Sequence, residues 1–229
     1  MNKLILDFET FYDVGYSLTK MSTVEYVQSD EFLVWGVGVK WNDEPTEWIP
    51  PDDIEYFFSQ IPWDETALVC HNTLFDAYIL TQIYKVYPKY YYDTAAMSRG
   101  LYPNQSASLK NVCERLFPDN RSMRKGEELV TAKGTRYLDL ELEKVIAGYC
   151  IQDVDLTLAI FNKMLPSFPK SELDLIDITV RMFVEPKLIL DRELLITHKD
   201  QIAKETAQKI ESSDTTREVL ASQAKFAAH

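Results

Sequence analysis

A chain of 229 residues, 46% of them hydrophobic, can bury one substantial core and carry an appendage, or fold as two small domains. Its net charge of −12 argues against a protein that grips nucleic acid over its whole surface, because phosphate binding needs cations, yet it leaves room for a local site where a metal ion mediates the contact. No run of eighteen apolar residues occurs and the N-terminus lacks a basic-then-apolar leader, which disfavours membrane insertion and secretion and makes a cytoplasmic protein the expectation. The three cysteines, Cys70, Cys113 and Cys150, sit among apolar neighbours without the paired spacing of a zinc site, so they read as reduced core residues.

Lys3 to Thr10 reads as a buried first strand that ends in two carboxylates, Asp7 and Glu9. Successive side chains of a strand alternate faces, so these two share one face and Phe8 takes the other. Like charges so placed repel and raise each other's pKa unless a cation lies between them, and oxygen ligands select Mg2+ or Mn2+. A strand that has merely reached solvent would carry the same residues, so acids elsewhere must decide.

Phe11 to Asp30 is polar and irregular, and Phe32 to Val39 is a strongly β-favouring run expected to be a central strand. Asn42 to Pro45 carries turn residues, so Thr46 to Ile49 returns as an antiparallel edge strand and completes a three-stranded meander. Pro51 with Asp52 and Asp53 opens a helix whose apolar positions are Ile54, Phe57, Phe58 and Ile61. Ala67 to Cys70 then reads as a strand, Leu74 to Tyr87 as a helix and Tyr90 to Tyr92 as a strand, an alternation that fits parallel crossovers.

Thr94 to Leu101 and Ser108 to Phe117 read as two short helices. Pro118 to Tyr137 loses periodicity and gathers Arg121, Arg124, Lys125, Lys133 and Arg136 into a basic loop, which is either solvated or in contact with a polyanion. Leu138 to Leu165 is a long helix. Pro166 to Pro169 reads as a linker, after which Leu173, Ile176, Val180 and Phe183 repeat helically and Asp191 caps a helix running to about Ile210.

Two further acids fall at telling places. Asp76, in His71-Asn72-Thr73-Leu74-Phe75-Asp76, lies in the first turn of the helix after the Ala67–Cys70 strand, and Asp153 lies on the long helix with Tyr149 one turn earlier on the same face. Asp155 points away from that face and is left to solvent. A strand with Asp-x-Glu, a strand-helix junction with Asn-x-x-Phe-Asp and a late helix with Tyr-x-x-x-Asp together resemble the DEDD exonuclease superfamily in its DEDDy branch, over the first 165 or so residues. Asp93-Thr94 adds to the likeness.

The resemblance implies a ribonuclease H-like α/β fold: a mixed five-stranded sheet, antiparallel meander then parallel strands, flanked by helices and followed by a mainly α-helical C-terminal segment. It implies Asp7, Glu9, Asp76 and Asp153 as ligands of two Mg2+ or Mn2+ ions, and Tyr149 as the residue that orients or activates water. Thr10, Asn72 and Phe75 resemble positions near the terminal nucleotide, although Phe75 also reads as core and Asn72 as a helix cap. Arg121, Arg124 and Lys125, the densest cations of this part, are assigned to the phosphates of the incoming strand.

The stretch Glu172 to Phe183, followed by Pro186, Leu188, Leu190-Asp191, His198 and Ser222 to Ala227, resembles the passage that joins exonuclease to polymerase in phage-type family A DNA polymerases. None of the polymerase's own catalytic segments is present. The expected organisation is an exonuclease domain over residues 1–168 and, over 169–229, the beginning of a polymerase domain. The expected function is a proofreading 3′-5′ exonuclease that acts on the 3′ end of single-stranded DNA and releases nucleoside monophosphates, partnered in the full-length protein by the rest of the polymerase. An RNA-trimming exonuclease of the ribonuclease D type would use the same acids and tyrosine, separated only by contacts to the 2′-hydroxyl. A noncatalytic docking module on the same fold is the third reading, and it would leave an acid cluster buried without a metal.

Overall fold

β1 (Asn2–Thr10) is buried on both faces because it is the middle strand of a five-stranded sheet of order β3-β2-β1-β4-β5. It pairs antiparallel with β2 (Val34–Trp41), which pairs antiparallel with β3 (Glu47–Ile49); on its other side it pairs parallel with β4 (Thr66–Cys70), which pairs parallel with β5 (Tyr90–Asp93). The mixed sheet, meander first and parallel strands after, is the one expected from the sequence. The computed structural model of the protein describes residues 1–120, 123 and 132–228.

Strand alternation divides the core in two. Leu4, Leu6 and Phe8 join Val37, Val39, Phe58 and Ile79 on the face covered by α2 (Ile54–Ser59) and α3 (Thr73–Gln82). Ile5 and Val69 join Met97, Val112, Val154, Ile160 and Phe161 on the face covered by α4 (Thr94–Leu101), α5 (Leu109–Leu116) and α6 (Leu140–Met164). Asp7 and Glu9 continue the Ile5 face and so look toward α6. By length and mean hydropathy, 28 residues and 1.2, the span Leu140–Ser167 would suffice to cross a membrane; half of it is buried in this core, as befits a central helix of a packed domain.

Two segments depart from the sequence reading. Phe11 to Asp30, read as irregular, contains α1 (Thr23–Val27), started by a capping box in which the Ser22 hydroxyl accepts from the Glu25 amide while the Glu25 carboxylate accepts from the Ser22 amide. The helix read as Leu74 to Tyr87 stops at Gln82, and Lys85 turns the chain away in the left-handed region at φ 59°.

α7 (Lys170–Val184) follows Pro169 directly and packs against α3 and β5. Asp177 accepts the Tyr91 backbone N–H at 2.8 Å, which satisfies an edge-strand donor that would otherwise invite another strand. The first compact unit therefore runs Met1–Pro186, past residue 168. The second, Lys187–His229, is helical as expected, with α8 (Arg192–Glu211), α9 (Arg217–Leu220) and α10 (Gln223–Ala228). Asp191 caps α8 by accepting the Leu194 N–H at 2.9 Å.

Candidate active site

The site grows from the C-terminal end of β1, where the β1–β2 register shifts between Glu9 and Thr10. Such irregularities re-aim side chains at the ends of strands. Before the shift, Asp7 stands opposite Gly38 and Glu9 opposite Gly36, so no side chain on β2 covers either carboxylate. The bare strand admits α6: a Cβ on Gly38 would lie only 2.8 Å from the Cys150 sulfur and 3.1 Å from Val154. At this distance the Cys150 thiol donates to the Asp7 backbone oxygen, 3.1 Å away.

That approach brings Tyr149 and Asp153, both buried and one helical turn apart, to the two strand acids. Asp7, Glu9, Thr10, Phe75, Tyr149 and Asp153 line one cleft of about 360 Å3. Six of the residues expected near the chemistry therefore meet in one place. Tyr12, Ser17, Leu18 and Tyr26, also in the wall, come from the segment read as irregular. Its one local signal is the Ser22-x-x-Glu25 capping box just ahead of Tyr26.

Asp76 stands behind the cleft rather than in its wall. It is 2% exposed, and its Oδ1 accepts the Phe8 backbone N–H at 3.0 Å. Burial first, and the charge of Asp7 second, push its carboxyl well above the ordinary range. Asn72 is the N-cap residue of α3 in the left-handed conformation, φ 73°, but its side chain makes no capping bond and it does not line the cleft. Its backbone N–H donates to Asp93, whose Oδ1 also accepts from Ala95 and Ala96. One buried carboxylate thus fixes the starts of both α3 and α4.

Asp155, left out of the site, accepts from the Thr46 hydroxyl at 2.5 Å and from Lys40 Nζ at 3.3 Å, which ties α6 to the β2–β3 hairpin. Arg121, Arg124 and Lys125 lie outside the described residues. The donor chemistry suits a hard divalent cation. Oxygens of Asp7 and Glu9 and the sulfur of Cys150 lie within 4.8 Å of one another. Burial, and then the neighbouring acids, push the Cys150 thiol well above its usual range, in keeping with its donation to Asp7, and the carboxylate oxygens are the harder ligands.

The same fold occurs in solved structures of low sequence identity. Ribonuclease D of Trypanosoma brucei superposes with a TM-score of 0.58 at 16% identity, over 83% of this chain and 68% of that one. NrnC of Brucella melitensis, solved with bound Mg2+, gives 0.52 at 12%, over 80% and 83%. The family B DNA polymerase of the hyperthermophilic archaeon Pyrobaculum calidifontis gives 0.51 at 17%, over 72% of this chain and only 25% of the polymerase. No curated protein sequence matches the chain. The sequence profile of a 3′-5′ exonuclease family matches residues 51–168, a span that includes Asp76, Tyr149 and Asp153 and begins after Asp7 and Glu9. That match covers just over half of the chain, and with the ribonuclease H-like sheet it makes this protein a member of the 3′-5′ exonuclease family, on the fold of the DEDD exonucleases.

Proposed function

We propose that the protein hydrolyses the phosphodiester bond at the 3′ end of single-stranded DNA and releases nucleoside monophosphates, with two Mg2+ or Mn2+ ions held by Asp7, Glu9, Asp76 and Asp153. The observation that carries the reading is the meeting of Asp7, Glu9, Tyr149 and Asp153 in one cleft, with Asp76 close enough behind them for the charge of Asp7 to shift its carboxyl. Bound ions would supply Lewis-acid stabilisation of the charge that develops on the attacking and leaving oxygens. Asp76 accepts the Phe8 N–H through Oδ1, which fixes the orientation of the carboxylate that would hold a cation.

The remaining work belongs to the protein. Tyr149, which lines the same cleft as the acids, orients the attacking water by hydrogen bonding through its hydroxyl. Phe75, backed by the buried Tyr26 ring with centroids 6.0 Å apart, offers an apolar wall to a terminal base. The departing 3′ oxygen takes its proton from solvent.

Two features support DNA and a polymerase partner: the likeness of residues 169–229 to the start of a family A polymerase domain, and the solved family B polymerase that shares the fold. A second reading, RNA trimming, is favoured by the ribonuclease D structures, one of them a complex with RNA U12. Incubation with 5′-labelled single-stranded DNA and RNA, in Mg2+, Mn2+ or EDTA, separates the readings. A metal-dependent ladder on DNA that exceeds the RNA ladder is expected; the reverse ratio selects RNA trimming, and no ladder on either leaves the docking module.

A further inference from the structure

Thr10 lines the cleft, and its hydroxyl lies 2.9 Å from that of Tyr26. Each hydroxyl has a single proton to donate. The Tyr26 proton is already committed, because its hydroxyl donates to the backbone carbonyl of Phe11, a group that can only accept. The contact between the two hydroxyls then has one workable polarity: Thr10 donates and Tyr26 accepts.

Tyr26 is in no position to turn aside. Its ring is buried, stacks on Tyr16 with centroids 4.5 Å apart and meets Phe32 edge-on, while its backbone carbonyl accepts from the Tyr16 hydroxyl at 2.5 Å. Burial also raises its phenol above the usual range, which keeps the proton in place. The relay runs from Thr10 through Tyr26 to Phe11 and directs the Thr10 proton inward. What the Thr10 oxygen keeps for a ligand is lone pairs.

We propose that Tyr26 is a specificity-determining positioning residue: by holding the Thr10 hydroxyl as a hydrogen-bond acceptor, it makes the cleft favour strands whose terminal sugar offers a hydroxyl donor. The proposal rests on the exonuclease reading. A free 3′-hydroxyl satisfies the acceptor. A 3′-deoxy end leaves it unpaired, and a 3′-phosphate sets oxygen against oxygen.

The test is single-turnover cleavage, at the first bond only, of two 5′-labelled DNA strands that differ in a final deoxy or dideoxy sugar, at a series of enzyme concentrations in Mn2+. The parent favours the hydroxyl end by about tenfold in kcat/KM, the worth of one neutral hydrogen bond. In Tyr26→Phe the Thr10 hydroxyl loses its fixed polarity and can donate as well as accept, so the ratio of the two ends falls toward unity, chiefly through slower cleavage of the hydroxyl end. Thr10→Val, of the same shape, gives the same collapse, and Thr10→Ser restores the preference.

Far-UV circular dichroism accompanies each variant, and if Tyr26→Phe does not fold, the Thr10 pair decides. A purely structural Tyr26 would slow both ends alike and keep the ratio, which overturns the proposal. So does a parent that cuts both ends equally well. A parent that cuts neither strand overturns the exonuclease reading along with it.

Discussion

Asp7 pairs across the β1–β2 ladder with Gly38, and this empty position is what lets α6 reach the carboxylates. A methyl group at Gly38 would stand 2.8 Å from the Cys150 sulfur, well inside contact distance, with Val154 and the Cys150 backbone oxygen next to it. Gly38→Ala must therefore displace the Cys150 sulfur and press on Val154 and the α6 backbone, which shifts Tyr149 and Asp153 on the same helix. Overpacking of this kind costs about 1–3 kcal/mol. We expect a urea midpoint lowered accordingly and, under conditions where the variant is fully folded, cleavage reduced by more than tenfold. Parent-like turnover in folded Gly38→Ala would mean that the helix has slack and that the glycine does not position the site.

Asp93 provides a pH test away from the acids proposed to bind metal. Burial, against the opposing effect of its three backbone N–H donors, raises its carboxyl above the ordinary value. A carboxyl raised by folding contributes stability that is complete below the unfolded value of about 3.9 and is lost as pH rises through the folded value. Asp93→Asn keeps an acceptor at Oδ1 for Asn72, Ala95 and Ala96 but carries no charge. In EDTA, the stability of the variant relative to the parent should therefore improve from pH 4 toward pH 7. A difference in urea midpoints that stays flat or falls across this range contradicts the assignment.

What the sequence makes legible is local and periodic. The alternation of β1 places Asp7 and Glu9 on one face, the four-residue spacing puts Tyr149 and Asp153 on one helix edge, and the capping Ser108 and Asp191 mark α5 and α8. The cleft wall from Phe11 to Asp30 is illegible by period because its tyrosines are held by one another: Tyr16 stacks on Tyr26, and Tyr26 spends its hydroxyl on Phe11. The close approach of β2 and α6 is carried by Gly38, whose meaning depends on a helix more than a hundred residues away. Nor can helical spacing say what α7 faces. Its attachment to β5 rests on Asp177 and Arg181, polar residues that in an isolated helix read as solvated.

Arg181 fastens α7 to the parallel edge of the sheet. Its guanidinium pairs with Asp177 at 3.0 Å and Glu185 at 2.8 Å, donates to the backbone oxygens of Pro88 and Lys89, and lies over the Tyr91 ring. The two acids are largely covered, with side chains 12% and 10% exposed, so removing the cation leaves them short of their counter-charge. Arg181→Leu should cost about 2–4 kcal/mol, toward the lower part of the range for a broken buried pair because Arg181 itself is 31% exposed. Cleavage at low temperature should persist, since no cleft residue is touched. A loss of activity without loss of stability would tie α7 to the chemistry instead.

Tyr149 and Asp7 occupy the same cleft with different expected duties, and their variants should differ in kind. Asp7→Ala removes a proposed metal ligand and also relieves the charge pressing on Asp76, so cleavage should vanish while the metal-free protein keeps its stability or gains some. Tyr149→Phe retains the buried ring and removes only the hydroxyl, so binding of Mn2+, followed by calorimetry, should be unchanged. Loss of a group that positions the nucleophile typically costs about 10² to 10⁴ in rate. Because bound ions themselves acidify water, the lower end of that range is expected, and with it a residual activity that Asp7→Ala lacks. The comparison is single-turnover cleavage at saturating Mn2+: equal rates for Tyr149→Phe and the parent would reduce Tyr149 to a packing aromatic, and loss of Mn2+ binding in that variant would place its hydroxyl among the ligands.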